Sequence, residues 1–394
     1  MEKHANFLVE NTLPMKKLKL LLLPLLTFYA CSSSNQEATE FGELVFSLDT
    51  LMIDPKDEIL FLQGGFRWSD TSSDRRYFYN FNYTNSVLEV IDLNKLELER
   101  VVAYEKEGPN GTGGRVGKIH YLGQDSLYFS SHFDHEIFDL KGRKILSHTT
   151  KNVSFSGGEF GENEALPMPV MWSKQPHRIV GLGRKWIEPE TSFVSIDFSQ
   201  RTFDRRELPA FDILNDFHYT MEQPQVWFGP EYATSIVGET VLFSISVASP
   251  IYRYHIPSNE LELHRAIPSL TAGEKTVKPP KQVSNREEYR PVDRMLREQI
   301  NFQHPIWDET RGIFYRFTYQ EIFPQNPDEP DPYRKAKVYL TLLDRDLSIV
   351  SEHEVPVIDF VPVFPFVKDG AIWMPVNVAD ELGFARLTMR SAGE

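Results

Sequence analysis

The amino-acid sequence predicts an all-β protein, a β-propeller of six blades with four antiparallel strands each and an N-terminal strand closing the last blade. Three observations predict it. A unit of two hairpins recurs along the chain, no long amphipathic helices alternate with the strands, and the final unit stops one strand short while a spare strand stands near the start.

Each unit opens with an apolar strand, a polar turn and an apolar β-rich strand. The second strands read as Glu58–Leu62, Ser126–Ser130, Arg178–Gly181, Thr240–Ile245, Gly312–Phe317 and Gly370–Pro375. The turns before them carry Asp57, Gln124-Asp125, Pro176-His177, Gly238-Glu239, Arg311-Gly312 and Asp369-Gly370, residues that favour tight turns. A second hairpin follows, usually with an aspartate closing its first strand: Asp92, Asp139, Asp197 and Asp344. A carboxylate there can accept backbone N–H groups of the next turn, so these aspartates read as structural. The return strands are Leu96–Tyr104, Lys144–Thr149, Thr202–Leu208, Glu260–Ile267 and Leu347–Val355. In the last unit, Phe384–Met389 ends the chain's strand series and Glu43–Leu48 is free to pair with it, which would cover an open edge. A pair of stacked β-sandwiches would need a linker near the middle, and the chain has no such break.

The N-terminal segment is of another kind. A basic run, Met15-Lys16-Lys17-Leu18-Lys19, leads into Leu20–Leu26 and then Thr27-Phe28-Tyr29-Ala30-Cys31. That is the layout of a secretory signal, too short to span a bilayer. Cys31 is the chain's one cysteine, directly after Ala30. The site resembles the lipobox of bacterial lipoproteins, with Phe28 where leucine is usual, and implies acylation at Cys31. Residues 1–30 are therefore expected to be a signal peptide, residues 31–41 a lipidated cysteine and flexible tether, and residues 42–394 a single propeller domain. The polar stretch Met1–Pro14 is unlike a signal and fits either a start at Met15 or an extended basic region. Ser32 after the cysteine points to the outer membrane, with periplasmic and cell-surface faces both open.

The formal charge is −14, and loss of residues 1–30, with four basic and two acidic residues, leaves the remainder more acidic still. Nucleic acid is excluded as a partner, and attachment to anionic lipid would have to come from acyl chains. With a single cysteine there is no intrachain disulfide, so core burial alone must stabilise the domain.

Two inserts depart from the repeat. Residues 268–300 are long and polar, with a helical stretch around Arg286–Gln299 interrupted by Pro291; residues 323–335 are rich in proline and aspartate. Loops of this length are a first expectation for partner contact. Glu107–Lys118 is glycine-rich, but a strand follows it rather than a helix, which excludes a phosphate-binding loop and leaves an inter-blade crossover. His132, Asp134 and Glu136 would share one strand face and are the densest set of metal-ligand types; isolated sets of this kind are more often polar edges, and no metal is assigned. His304, Trp307 and Arg316 flank the fifth hairpin near the inserts and are candidates for an acidic or sugar-like ligand. No catalytic residues and no cofactor are expected.

The Glu107–Gly113 stretch leading into a strand, the aspartate-closed hairpins, the lipobox and His304–Arg316 together resemble a domain-of-unknown-function family of Bacteroidetes lipoproteins. The resemblance covers nearly all of the mature chain and implies a six-bladed propeller and a lipid anchor. The function expected is a monomeric, membrane-anchored envelope lipoprotein whose propeller binds a protein or glycan partner. The alternative is an envelope hydrolase or lyase acting on glycan or peptide, with paired carboxylates or a histidine in the channel.

Overall fold

Strand follows strand through six antiparallel sheets, each built almost entirely from consecutive segments. The structure is a computed structural model and describes residues 42–113, 116–185, 189–324 and 334–392. Cys31 and the expected signal and tether lie outside the described residues.

The first sheet holds Ser69–Thr71, Tyr77–Asn82, Val87–Asp92 and Glu97–Ala103; the second holds Lys118–Gly123, Ser126–Ser130, Asp134–Asp139 and Lys144–Thr149. In the third, Glu164–Ala165 and Val170–Trp172 both pair with Gln175–Lys185, followed by Glu190–Asp197 and Thr202–Glu207. The fourth runs Tyr232–Val237, Thr240–Ile245, Ile251–His255 and Glu260–His264. In the fifth, Asn301–Phe302 and Ile306–Asp308 pair with Ile313–Glu321, then come Ala336–Leu343 and Ile349–Glu354. The sixth takes Phe366–Lys368, Ala371–Val378 and Glu381–Ser391 from the end of the chain and Leu44–Met52 from its beginning.

That last pairing is the expected seam, longer than the sequence suggested. Leu44 lies opposite Ser391 and Met52 opposite Gly383 in unbroken antiparallel register. Ser47 and Thr388 hydroxyls meet at 2.7 Å, and Arg386 reaches Asp49 at 3.0 Å.

The strand-ending aspartates do what their position predicts. Asp92 accepts the Asn94 and Lys95 N–H groups, Asp139 those of Lys141 and Arg143, Asp197 those of Ser199 and Gln200, and Asp344 those of Asp346 and Ser348, all at 2.8–3.1 Å. Each carboxylate closes a turn by replacing backbone acceptors. Burial raises the pKa of the Asp92 and Asp139 carboxyls, but the donors together outweigh it and hold both below the usual range.

Apolar residues from facing sheets interlock. Phe193 and Val180 of the third sheet pack with Val241, Phe243 and Tyr254 of the fourth. Tyr315, Phe317 and Leu340 of the fifth pack with Ile372, Met374 and Leu387 of the sixth. Phe78 and Ile91 of the first pack with Phe366, Trp373 and Phe384 of the sixth, so the last sheet has a buried interface with the first.

Two expectations are corrected. Glu58–Leu62 is not a strand; the second strand of the first sheet is Tyr77–Asn82. The first sheet already has four strands, so Glu58–Leu62 lies against it as a strap, with the Phe61 N–H on Glu89 and the Phe61 carbonyl on Asn80. Second, Pro291 does not interrupt the helix, which runs Arg286–Glu298 with Asn285 capping it through the Glu287 and Glu288 N–H groups. Residues 268–300 also pack with an earlier part of the chain. Tyr219–Met221, Val226–Phe228 and Gln282–Val283 form a small three-stranded sheet under that helix, sharing a core of Tyr219, Met221, Val283, Phe228 and Tyr289. The helix carries Arg294 to the Pro324 carbonyl at 3.2 Å, so the two inserts do meet.

Candidate functional site

The first strands of successive sheets lie side by side: first with second, second with third, third with fourth, and fifth with sixth. Their leading ends converge. The Trp68 indole N–H donates to the Val116 carbonyl at 2.7 Å, Phe302 N–H to the Ser246 carbonyl at 3.0 Å, and the Gln303 side chain to the Pro362 carbonyl. This convergence is the candidate binding site.

Two cations reach across it. Lys118, first residue of the second sheet, donates its ammonium to the Thr234 carbonyl of the fourth sheet at 3.1 Å. Arg67, just ahead of the first sheet, points its guanidinium at the Met168 sulfur, between the Glu164–Ala165 and Val170–Trp172 strands of the third, at 3.4 Å. Each is positioned by its local sequence. The turn Gln63–Phe66 carries Gly64 and Gly65 at positive φ, and a Cβ on Gly64 would strike the Trp68 ring. Phe66 is buried against Phe78, and Trp68 is tied to Val116, so Arg67 projects between two anchored aromatics. Lys118 follows Gly117, whose N–H donates to the Ser130 carbonyl at 2.6 Å and where a Cβ would crowd the Pro167 and Ser130 carbonyls.

More positive charge lies around them. Arg184 is buried, donating to Thr191 and His218 and lying 5.1 Å from the Tyr232 ring centroid. His218 is held neutral, its pKa lowered to about 4 by burial and by Arg184. Arg316 is 3% exposed and donates to the Gln303 and Ser249 carbonyls at 2.8 and 2.5 Å. Among the described residues, none of Arg67, Lys118, Arg184 and Arg316 forms an ion pair with a carboxylate. Burial lowers the Lys118 pKa, Asp70 opposes that and Arg67 adds to it. Asp70 is itself engaged: its oxygens accept His120 Nδ1 at 2.7 Å, Tyr121 N–H at 2.7 Å and Thr71 N–H at 2.8 Å.

The residues singled out from sequence have these places. His304 sits between Ser244 at 2.7 Å and Ser235 at 2.5 Å, its pKa lowered to about 3 by burial and by Lys118 and Arg316. It is neutral and neighbours Lys118 and Arg316. Arg316 is turned to backbone carbonyls, and Trp307 packs on Phe314 at 4.6 Å and near Arg345. His304 and Arg316 are thus brought together at the convergence, and Trp307 is placed elsewhere, in the cluster with Phe314 and Leu343. His132, Asp134 and Glu136 all line a cavity of about 630 Å³ with Val116, Phe129 and Phe133. Glu136 accepts Lys144 at 2.6 Å there, and among the described residues no group of three His, Cys, Asp or Glu side chains could hold a metal.

Sequence reasoning passed over Arg67 and Lys118. Their one common signal is a basic residue closely following glycine at the start of a unit's first strand, and the glycine-rich run that ends in Gly117-Lys118 reads from sequence as an inter-blade crossover.

No curated protein matches the chain in sequence. The chain is similar to solved structures at the level of fold. A member of the DUF4221 family from Bacteroides vulgatus ATCC 8482 superposes with a TM-score of 0.60 at 13% identity, over 89% of this chain and 100% of that one. A protein from Bacteroides fragilis NCTC 9343, described as exported, gives 0.51 at 11% identity, over 88% and 95%. The model of a domain of unknown function, DUF4221, matches residues 42–354, and the chain belongs to that family.

Proposed function

We propose that the six sheets are the blades of a β-propeller closed by Leu44–Met52, and that this propeller is a non-catalytic binding module of the cell envelope, anchored by acylated Cys31. The convergence of the first strands, carrying Arg67 and Lys118 without carboxylate partners among the described residues, is the observation that supports the binding role most directly. Sheet order and the seam support the ring. A ring of small sheets holds loop ends rigidly around a centre, which suits recognition, and fold by itself assigns no chemistry. The partner would be a protein or glycan of the envelope, and the bound leaflet the outer membrane.

Two experiments test this. Capture with the intact protein from its native envelope should enrich a discrete partner, and Arg67→Gln should reduce that enrichment; a partner retained equally by the variant would place the binding face elsewhere. Cys31→Ala should move the protein from the membrane to the soluble fraction. Continued sedimentation with membranes would refute the lipid anchor.

A further inference from the structure

We propose that the converging ends of the first strands form a site for an oxyanion, a carboxylate or phosphate group of the ligand, held by Arg67 and Lys118. The inference rests on the binding-module reading and names the chemistry it would recognise.

A lysine ammonium has three donors. Among the described residues Lys118 spends one, on the Thr234 carbonyl, and that acceptor is neutral. Holding a part-buried ammonium against a single neutral acceptor is costly unless an anion completes its shell. Asp70 does not do so by contact, since His120, Tyr121 and Thr71 occupy its oxygens. Arg67 presents a planar fork suited to two oxygens of one group, and its described partner is a thioether sulfur, a weak acceptor. His304 near Lys118 has both ring nitrogens satisfied by serines and brings no negative charge. Thr234 Oγ1 and Gln303 Oε1 are buried without a hydrogen-bond partner among the described residues.

Chain-wide charge sharpens the point. A protein of net charge −14 repels anions from most of its surface, yet four cations without a carboxylate partner among the described residues gather around this region. A local positive field inside an acidic molecule selects for anions that reach it. A purely mechanical role would have Lys118 tie the second sheet to the fourth and Arg67 the first to the third. Loss of either residue would then lower stability equally in every salt.

The test is thermal unfolding of the full chain at constant ionic strength, with inorganic phosphate or acetate replacing chloride. The melting temperature should rise with one or both anions, as ligand linkage requires. In Arg67→Gln the apparent affinity should fall by about tenfold or more, the scale of a charge-assisted contact. Arg67 is exposed, so this variant keeps its fold; Lys118→Met should lose the response as well. A response to phosphate alone assigns a phosphoryl ligand, and a response to acetate assigns a carboxylate. No response beyond that to chloride, or an unchanged response in Arg67→Gln, overturns the proposal. A wild-type protein without anion response that still captures an envelope partner would overturn it and leave the binding module standing.

Discussion

Phe78→Ala should lower the folding free energy by about 3–5 kcal/mol, the cost of deleting a large aromatic from a packed interior. Phe78 is 0% exposed and is the hub where the first sheet meets the sixth. Its ring centroid lies 5.2 Å from Phe384, 5.7 Å from Phe364 and 6.0 Å from Phe66, edge to face in each case, a geometry that adds to burial alone. Phe366 and Trp373 complete the cluster. The void could not refill easily, because its walls come from two sheets and a strap that are each held by their own hydrogen bonds. Urea unfolding should show a lower midpoint with an unchanged slope. A loss below about 1 kcal/mol would mean that this interface contributes little to holding the two sheets together.

Glu89→Gln should flatten the dependence of stability on pH between about 5 and 8 relative to the natural protein. Glu89 is 3% exposed on the first sheet, under the strap. Burial raises its pKa from 4.5 to about 7, against the Asn80 amide and the Phe61 N–H, which favour the charged form, while Glu58 pushes it further up. Well below 4.5 the carboxyl is neutral folded or unfolded and carries no penalty. As pH rises toward 7, the unfolded chain releases a proton that the folded chain retains, so stability falls. Above that pH the loss is complete, on the order of 3 kcal/mol. Buried His135 and half-buried His218 and His304, with pKa values lowered to about 3, 4 and 3, act with the opposite sign. They cost stability below the ordinary histidine range, so the natural protein's profile is a contest, and the difference between the natural and E89Q profiles isolates the carboxyl. A difference that stays constant from about pH 5 to 8 would show that Glu89 titrates as in the unfolded chain.

What could be read beforehand was local or was a deficit. The aspartate turns were legible because donor and acceptor lie a few residues apart, as at Asp92 with Asn94 and Lys95. The seam was legible because the last unit lacked a strand and the start of the chain had one spare. Glu58–Leu62 misled because an apolar run looks the same whether it joins a sheet or crosses its face; Ile59, almost wholly exposed, shows that it does not fill a sheet position. The small sheet under the helix was invisible since Tyr219–Met221 finds its parallel partner in Gln282–Val283, far along the chain. Arg67 and Lys118 escaped notice for the same reason: their meaning comes from sheets that converge in space, and neither has a telling neighbour in sequence.

The Ala392 N–H donates to the Glu43 carbonyl at 2.9 Å, so the two ends of the folded region touch. A short peptide link could therefore splice residue 43 to residue 392 and let the chain be cut elsewhere. A turn such as Gly238-Glu239 could become the new pair of termini, with every strand keeping its partners. In such a permuted molecule the sheet now sewn from both ends would be made from one continuous stretch, and another sheet would inherit the join.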